Sequence, residues 1–374
     1  MKNIIDDDDE EKETLVSVAD EINDNDAKTT KSNATNHRKI SLKFVVLIIL
    51  CLQNSCFTVL RRYSQGVLRE TYSKHEVLCV AEVIKIVFSA YVIYKHRDKS
   101  DGPFRLHIMH LLKSSKKMFM LSLIYGLMNI LSFVALRNVS AGVFTICAQL
   151  KILTTATFST VMLNRRYSWV KWRALASLFI GVLLFSEPSW NSTAGASVAD
   201  GNFMLGTSAV LIEVTLSGFA SIYFEKVVKT DTEQLNIWER NFQLAFGSFP
   251  VYILFILSSH GGEVGYFGGW SIITFILALF GAAGGLLVAL SIKYGDAILK
   301  TLATAGAIVI SSVFDHLLFD GELTAVMVLA GGVVIFAIID YTFDPSPKYD
   351  TIRCSTAGSA AGSSVGSPSK ETRV

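Results

Sequence analysis

Charge is scarce in this sequence. Asp, Glu, Lys and Arg make up 18% of its 374 residues against 51% apolar residues, and the mean hydropathy is +0.43. That balance excludes a set of soluble domains and points to a polytopic membrane protein. Cysteine is scarce as well. Cys51, Cys56, Cys79, Cys147 and Cys354 are an odd number, four of them lie in apolar stretches, and none has metal-ligand spacing. Neither a disulfide framework nor a zinc site is indicated. Cys354, close behind the last apolar run, reads as a solvated thiol or, alternatively, as a palmitoylation site. No nucleophile, metal cluster or paired-carboxylate site stands out, so the chain is not expected to be an enzyme, to carry a cofactor or to bind nucleic acid.

The net charge of +2 hides a split, because residues 1–40 carry 11 acids and 6 bases. This head has too little apolar surface to fold and reads as a disordered acidic tail. Its acidic start is the wrong flank for a cleavable signal peptide, so the first hydrophobic run is expected to serve as the targeting signal.

Apolar runs of spanning length then follow at about Ser41–Leu60, His75–Tyr94, Met118–Leu136, Val139–Leu163, Trp169–Ser186, Phe203–Phe224, Ile237–Leu257, Trp270–Ile292, Leu299–Phe319 and Leu323–Tyr341. The fourth run organises the rest. Lys151 stands at its midpoint with twelve residues on either side, near the membrane midplane if the run is one helix. An ammonium there costs at least ~2.5 kcal/mol on insertion scales, so it normally faces a bundle interior or an aqueous cavity. An anion-binding lysine is expected, the alternative being a lysine paired in a helix contact.

Lysine and arginine counts orient the chain. With the head inside, the cytoplasmic loops hold fifteen basic residues and the opposite loops five. Four of those five, Arg61, Arg62, Arg69 and Lys74, sit in one connection that breaks the rule. An even span count places both termini in the cytoplasm. The sequon at Asn191 then falls on the far side and the one at Asn33 in the cytoplasmic head.

The chain also reads as doubled, with short connections introducing similar runs at an offset of about 156 residues. Five spans per half means that one half inserts upside down relative to the other, the layout of alternating-access carriers with a midplane site. The expected architecture is an all-α membrane protein: a cytoplasmic tail 1–40, a first five-helix repeat 41–190, a second, inverted repeat 200–342, and a disordered cytoplasmic tail 343–374. Gly281, Gly284, Gly285, Gly331 and Gly332 are expected at close helix contacts, and Pro250 is expected to kink its helix.

Polar residues inside the runs are the candidate site. Glu82 and Lys85 lie three apart on one helix face and form either a structural ion pair or a gate. Arg240, with Asn241 and Gln243, opens the seventh run, and Lys293, Asp296 and Lys300 surround the start of the ninth. Glu213, Asp315 and His316 are further buried polar groups, read as a proton relay or as internally hydrogen-bonded.

The sequence resembles the nucleotide-sugar transporters of the CMP-sialic acid, UDP-galactose and UDP-N-acetylglucosamine group, within the drug/metabolite transporter superfamily. The resemblance rests on Glu82-Val-Ile-Lys85, Gln149-Leu-Lys-Ile-Leu-Thr-Thr-Ala156, Met162-Leu-Asn-Arg165, Ser217-Gly-Phe-Ala220, Tyr223-Phe-Glu-Lys226, Arg240-Asn241 with Gln243, Gly284-Gly-Leu-Leu-Val-Ala289, and Lys293-Tyr294 with Asp296 and Ile298-Leu-Lys300. It implies ten helices that exchange a cytoplasmic pyrimidine-nucleotide sugar for a lumenal nucleoside monophosphate, without ATP. Lys151 and Lys300 match the family's phosphate-contacting lysines, and Asn129, Asn241 and Gln149 match substrate-site positions. Glu82, Lys85 and Arg240 are read as gating or ion-pair residues. The chain departs from the family pattern at Asn129-Ile130, at Phe144 and Ala148, and at Asp296-Ala297, all positions that bear on base recognition. Leu287-Val288-Ala289 and Ile152-Leu153-Thr154-Thr155 resemble the UDP-sugar members. UDP-galactose or UDP-N-acetylglucosamine is favoured, with CMP-sialic acid or another phosphorylated metabolite as alternatives. The expected location is the Golgi membrane or that of the ER, and a homodimer is among the expected assemblies. The terminal Thr372-Arg373-Val374 suits carboxylate capture by a partner domain or ER exit, or is a chance ending.

Overall fold

The structure, a computed structural model, describes residues 42–96, 103–187, 202–231, 233, 235–258 and 265–344. The acidic head, both sequons, Cys354 and the C-terminal Thr-Arg-Val lie outside the described residues. The described chain is helical throughout: α1 (Leu42–Val67), α2 (Lys74–Lys95), α3 (Phe104–Lys113), α4 (Lys116–Asn138), α5 (Ala141–Ala148), α6 (Lys151–Met162), α7 (Trp169–Phe185), α8 (Phe203–Thr230), α9 (Ile237–Ser258), α10 (Ile272–Tyr294), α11 (Ala297–Phe319) and α12 (Ala325–Thr342). Eight of these, α1, α2, α4 and α8 to α12, are long and apolar enough to cross a membrane.

Side chains at the starts of helices explain many of the boundaries. Ser140, Ser168, Asn202, Asp296 and Thr324 each accept a hydrogen bond from a first-turn N–H, and Ser271 forms a capping box with Thr274. Many large apolar side chains lie on the surface. Val87, Leu329 and Phe336 are 63%, 73% and 74% exposed, the pattern of helices that face lipid on one side and one another on the other.

Two of the expected spans differ from the sequence reading. The run Val139–Leu163 is not one helix. It breaks at Gln149–Leu150, where Gln149 N–H bonds to Ile146 O and Leu150 N–H to Cys147 O, a tightened 3₁₀ turn that separates α5 from α6. The seventh helix, α7, is 17 residues long. The loop after α2 holds a 10-residue helix too short to stand out as a spanning apolar run. This helix, α3, is one face wide: Leu111 is fully buried beside Ile93 and Phe242, and Gln243 donates 2.7 Å to Leu111 O.

The most extensive helix contacts join early helices to late ones: α4 with α8, α2 with α9, α7 with α12, α6 with α8, α4 with α9 and α2 with α10. Helix α1 is tied to α10 by Gln53 Nε2 to Phe280 O at 2.8 Å and to α11 by Ser55 Oγ to Ala307 O at 3.1 Å. Close approach rests on small residues. A Cβ on Gly218 would lie 2.7 Å from Thr154 Oγ1, and one on Gly284 would lie 2.7 Å from Gln53 Nε2. Gly285 meets Lys85 and Gly331 meets Phe185, but a Cβ on Gly332 would meet nothing within 4 Å, so that residue is not at a close contact. Pro250 lies inside α9.

Candidate functional site

The helix break decides where Lys151 sits. It is the first residue of α6, in a turn whose Leu150 and Ile152 N–H groups are taken by Cys147 O and Gln149 O, so the ammonium itself is the group that favours an anion. Thr155 Oγ1 donates 2.6 Å to Lys151 O, and Thr154 Oγ1 donates 3.2 Å to Val214 O, which seats this turn against α8. Lys151 lines a cavity of about 190 Å³ with Gln149 beside it, Asn54 and Thr58 from α1, and Thr301 and Thr304 from α11. Lys300 lies in the first turn of α11, next to Thr301, and is close enough to Lys151 for the two charges to interact. Glu213 on α8 is within electrostatic reach of Lys151 and hydrogen-bonds Ser132, yet its Oε2 is buried without a partner among the described residues.

A second polar cluster stands where α2, α4, α9 and α10 meet. Glu82 and Lys85 form an ion pair at 2.7 Å, with the Lys85 side chain against Gly285. Asn129 hydrogen-bonds the Tyr252 hydroxyl, and Tyr125 and Tyr252 are both within electrostatic reach of Glu82. Asn241 is buried on α9, with its Nδ2 unpartnered. Gln53 Oε1, Asn54 Nδ2 and Glu82 Oε2 are also buried without partners among the described residues. A buried orphan of this kind costs ~1 to 3 kcal/mol, and several in one interior fit a site that a polar ligand completes.

Arg240 belongs elsewhere. It is 1% exposed and bonds Asp231 at 2.6 Å and Glu233 O at 2.9 Å, at the end of the bundle where Lys117 also reaches Asp231. It is an ion-pair residue of the α8–α9 connection and does not line the cavity. Burial pushes the Asp231 carboxyl up, but the Lys117 hydrogen bond and the Arg240 and Lys117 charges outweigh it and hold it below its ordinary value. Nearby, Glu225 of α8 is fully buried and accepts from Arg165 at 2.6 Å, Lys229 at 2.7 Å and the Ala297 N–H at 3.0 Å. Burial disfavours the Arg165 charge, but the Glu225 and Asp296 carboxylates outweigh that and push its pKa up. At the opposite end of α11, Asp315 pairs with Arg62 at 2.5 Å and His316 with Gly321 O at 2.7 Å, which gives both residues local partners.

Sequence reasoning missed Gln53, Asn54 and Thr58 as cavity and site residues. Their signal was the polar cluster Gln53-Asn54-Ser55 and Thr58 within the first apolar run. It also missed Thr301 and Thr304, which look like ordinary helix residues until α11 is placed beside α6.

Comparison with known proteins places this geometry. The family model for nucleotide-sugar transporters matches residues 38–342. A human UDP-N-acetylglucosamine transporter is 36% identical over 82% of this chain and 97% of its own. A Caenorhabditis elegans UDP-N-acetylglucosamine/UDP-N-acetylgalactosamine transporter is 35% identical over 84% and 97%. A UDP-galactose transporter of Schizosaccharomyces pombe is 32% identical over 90% and 98%. A solved crystal structure shares the fold with a TM-score of 0.59 at 14% identity, covering 81% of this chain and 97% of that one. The chain belongs to the nucleotide-sugar transporter family.

Proposed function

We propose that this protein is an antiporter of the Golgi membrane that carries a UDP-sugar, UDP-N-acetylglucosamine or UDP-galactose, into the lumen against a nucleoside monophosphate. The observation that carries the reading is Lys151 on the cavity between α1, α6 and α11, with Lys300, next in sequence to the cavity-lining Thr301, close enough to it for the two charges to interact. Two like charges held together in an interior call for an anion between them, and a phosphate ester supplies it. A lysine ammonium is a compact point charge that holds a phosphate without the bidentate grip of arginine, which suits a ligand that must also leave. The choice of a UDP-sugar rests on the relatives, whose names specify UDP-sugars.

The proposed mechanism is alternating access by two inverted five-helix repeats spanning the membrane ten times, with the paired α5 and α6 and the short α7 as the fourth and fifth crossings. The packing supports this. If α1, α2, α4, α5/α6 and α7 correspond to α8, α9, α10, α11 and α12, exchanging the halves maps the α2–α10 contact onto α4–α9. It also maps α4–α8 and α6–α8 onto α1–α10 and α1–α11, the two seams held by Gln53 and Ser55. At 190 Å³ the cavity is smaller than the ~300 to 1,000 Å³ of pockets that enclose ligands of drug size, so helices must part to admit a nucleotide sugar. Counterflow in proteoliposomes tests the reading: uptake of labelled UDP-N-acetylglucosamine or UDP-galactose should rise on preloading with UMP. Uptake indifferent to preloading with any nucleoside monophosphate refutes antiport, and uptake of CMP-sialic acid in preference to both UDP-sugars refutes the substrate class.

A further inference from the structure

Helices α1 and α11 line the lysine cavity together, with Asn54 and Thr58 on one side and Thr304 and Ile308 on the other. The two helix faces continue past it. Asp315 lies seven residues, about two turns, beyond Ile308 on α11, and Arg62 lies four residues, about one turn, beyond Thr58 on α1. There the two side chains meet in an ion pair at 2.5 Å, and next to it Tyr63 stacks on Phe319 with ring centroids 5.9 Å apart. The α1–α11 seam, fastened beside the cavity by Ser55, is thus closed a second time beyond it.

The two ends of α11 are held unequally. At its start the fully buried Glu225 accepts from Arg165, Lys229 and the Ala297 N–H. At its far end one Arg62 nitrogen meets one Asp315 oxygen, Arg62 stays 54% exposed, and Asp315 Oδ1 is buried without a partner among the described residues. An ion pair with an exposed partner holds far less firmly than a buried, multiply bonded carboxylate. The winding of α1 also changes at this point. Leu68 N–H bonds five residues back to Tyr63 O at 3.0 Å, so a π-helical turn, a feature frequent at functional sites, starts immediately after Arg62. Beyond that turn the chain is fastened to α10 through Glu70, which accepts from Ser64 and Thr274. Opening the seam therefore means moving the end of α11 away from α1 and α10 together.

We propose that the Arg62–Asp315 pair is the latch of one of the two access routes: α11 parts from α1 at this end to pass a nucleotide, and the pair sets how often it does so. The proposal rests on the alternating-access reading above. Arg62 and Asp315 are positioning residues, which act on the cavity through the helices that carry them. Little is lost when the latch breaks, because Arg62 is already half in solvent and Asp315 gains water on an oxygen that had no partner.

The test uses the full chain in proteoliposomes, with Thr304→Cys on the half-buried cavity wall as reporter. Its labelling by a membrane-impermeant maleimide is measured in excess of that on the chain without the added cysteine. Arg62→Gln with Asp315→Asn, which removes both charges and strands neither, should raise the labelling rate about two- to fivefold, the population shift that such a pair commands. In a second chain, Arg62→Cys and Asp315→Cys bridged by a short bis-methanethiosulfonate should lose counterflow relative to the native chain given the same reagent, and regain it on reduction. An unchanged labelling rate in the neutral variant, with or without a lowered melting temperature, makes the pair at most structural and overturns the latch. Counterflow that persists across the bridge shows that the nucleotide takes no path between these helix ends and overturns it as well. Failure of the antiport reading looks different: wild-type counterflow then ignores preloaded UMP, while the labelling rates still judge the latch.

Discussion

Glu225 and Arg165 are sixty residues apart in sequence and 2.6 Å apart in the fold, with the glutamate fully shielded from solvent. Arg165 follows the helix that begins at Lys151, and the other Glu225 oxygen holds the Ala297 N–H at the start of the helix that carries Lys300. One carboxylate thus ties together the bases of both lysine-bearing helices. Glu225→Ala strands Arg165 and Lys229 beside an empty space, a loss of ~3 to 5 kcal/mol for one partner of a buried pair. The expected outcome is a melting temperature in detergent lower by several degrees, with a smaller drop in Glu225→Gln, which keeps an acceptor for the Ala297 N–H. Equal melting of wild type and Glu225→Ala would show that the network contributes nothing to stability.

Lys151→Ala and Lys300→Ala should each weaken nucleotide-sugar binding by ~10- to 100-fold, the worth of one hydrogen bond to a charged group, and stop counterflow. Protein level should hold, because removing a buried charge eases insertion. If Lys151 chiefly balances Glu213, Lys151→Ala will instead lower the melting temperature, and adding Glu213→Ala will restore it. Melting curves and binding isotherms measured on the same preparations separate the two outcomes.

Asp231 carries a pH dependence. Its carboxyl is held below its ordinary value in the folded state by Lys117 and Arg240, so the unfolded chain takes up the proton first as pH falls. The stabilisation is complete above the unfolded value of ~3.9 and disappears as pH drops through the lower folded value. Melting temperatures measured from pH 7 down to pH 3 should decline at the acid end, and Asp231→Asn should flatten that decline while lowering stability at neutral pH. An unchanged acid slope in the variant would assign the dependence to other carboxylates.

Gly218 allows α6 to sit on α8, since even a Cβ there would fall 2.7 Å from Thr154 Oγ1 and 2.9 Å from the Thr154 backbone. Gly218→Val should cost ~1 to 3 kcal/mol through overpacking and displace the turn that presents Lys151, so counterflow should fall more than expression does. Gly332→Ala, where the added Cβ meets nothing within 4 Å, serves as the control and should leave both unchanged.

The sequence by itself determined the class and the outline. In hydrocarbon every backbone group must be satisfied within its own segment, so an apolar run of spanning length has little choice but to become a helix. The eight long helices therefore begin and end within a few residues of the apolar runs, apart from the C-terminal extensions of α1 and α8. The motifs around Lys151, Lys300 and Glu225 were sufficient to point to the family. The tertiary structure decided what depends on neighbours. The break before Lys151 rests on a turn in which the Gln149, Leu150 and Ile152 N–H groups bond i−3 rather than i−4, a change that composition does not mark in an apolar run. Arg240 and Asn241 are adjacent in sequence, yet one is consumed by Asp231 and the other keeps a buried, unpartnered amide. Which of them faces a ligand depends on which helix end lies opposite. That opposition arises from side-chain packing between segments distant in the chain, which no local pattern encodes.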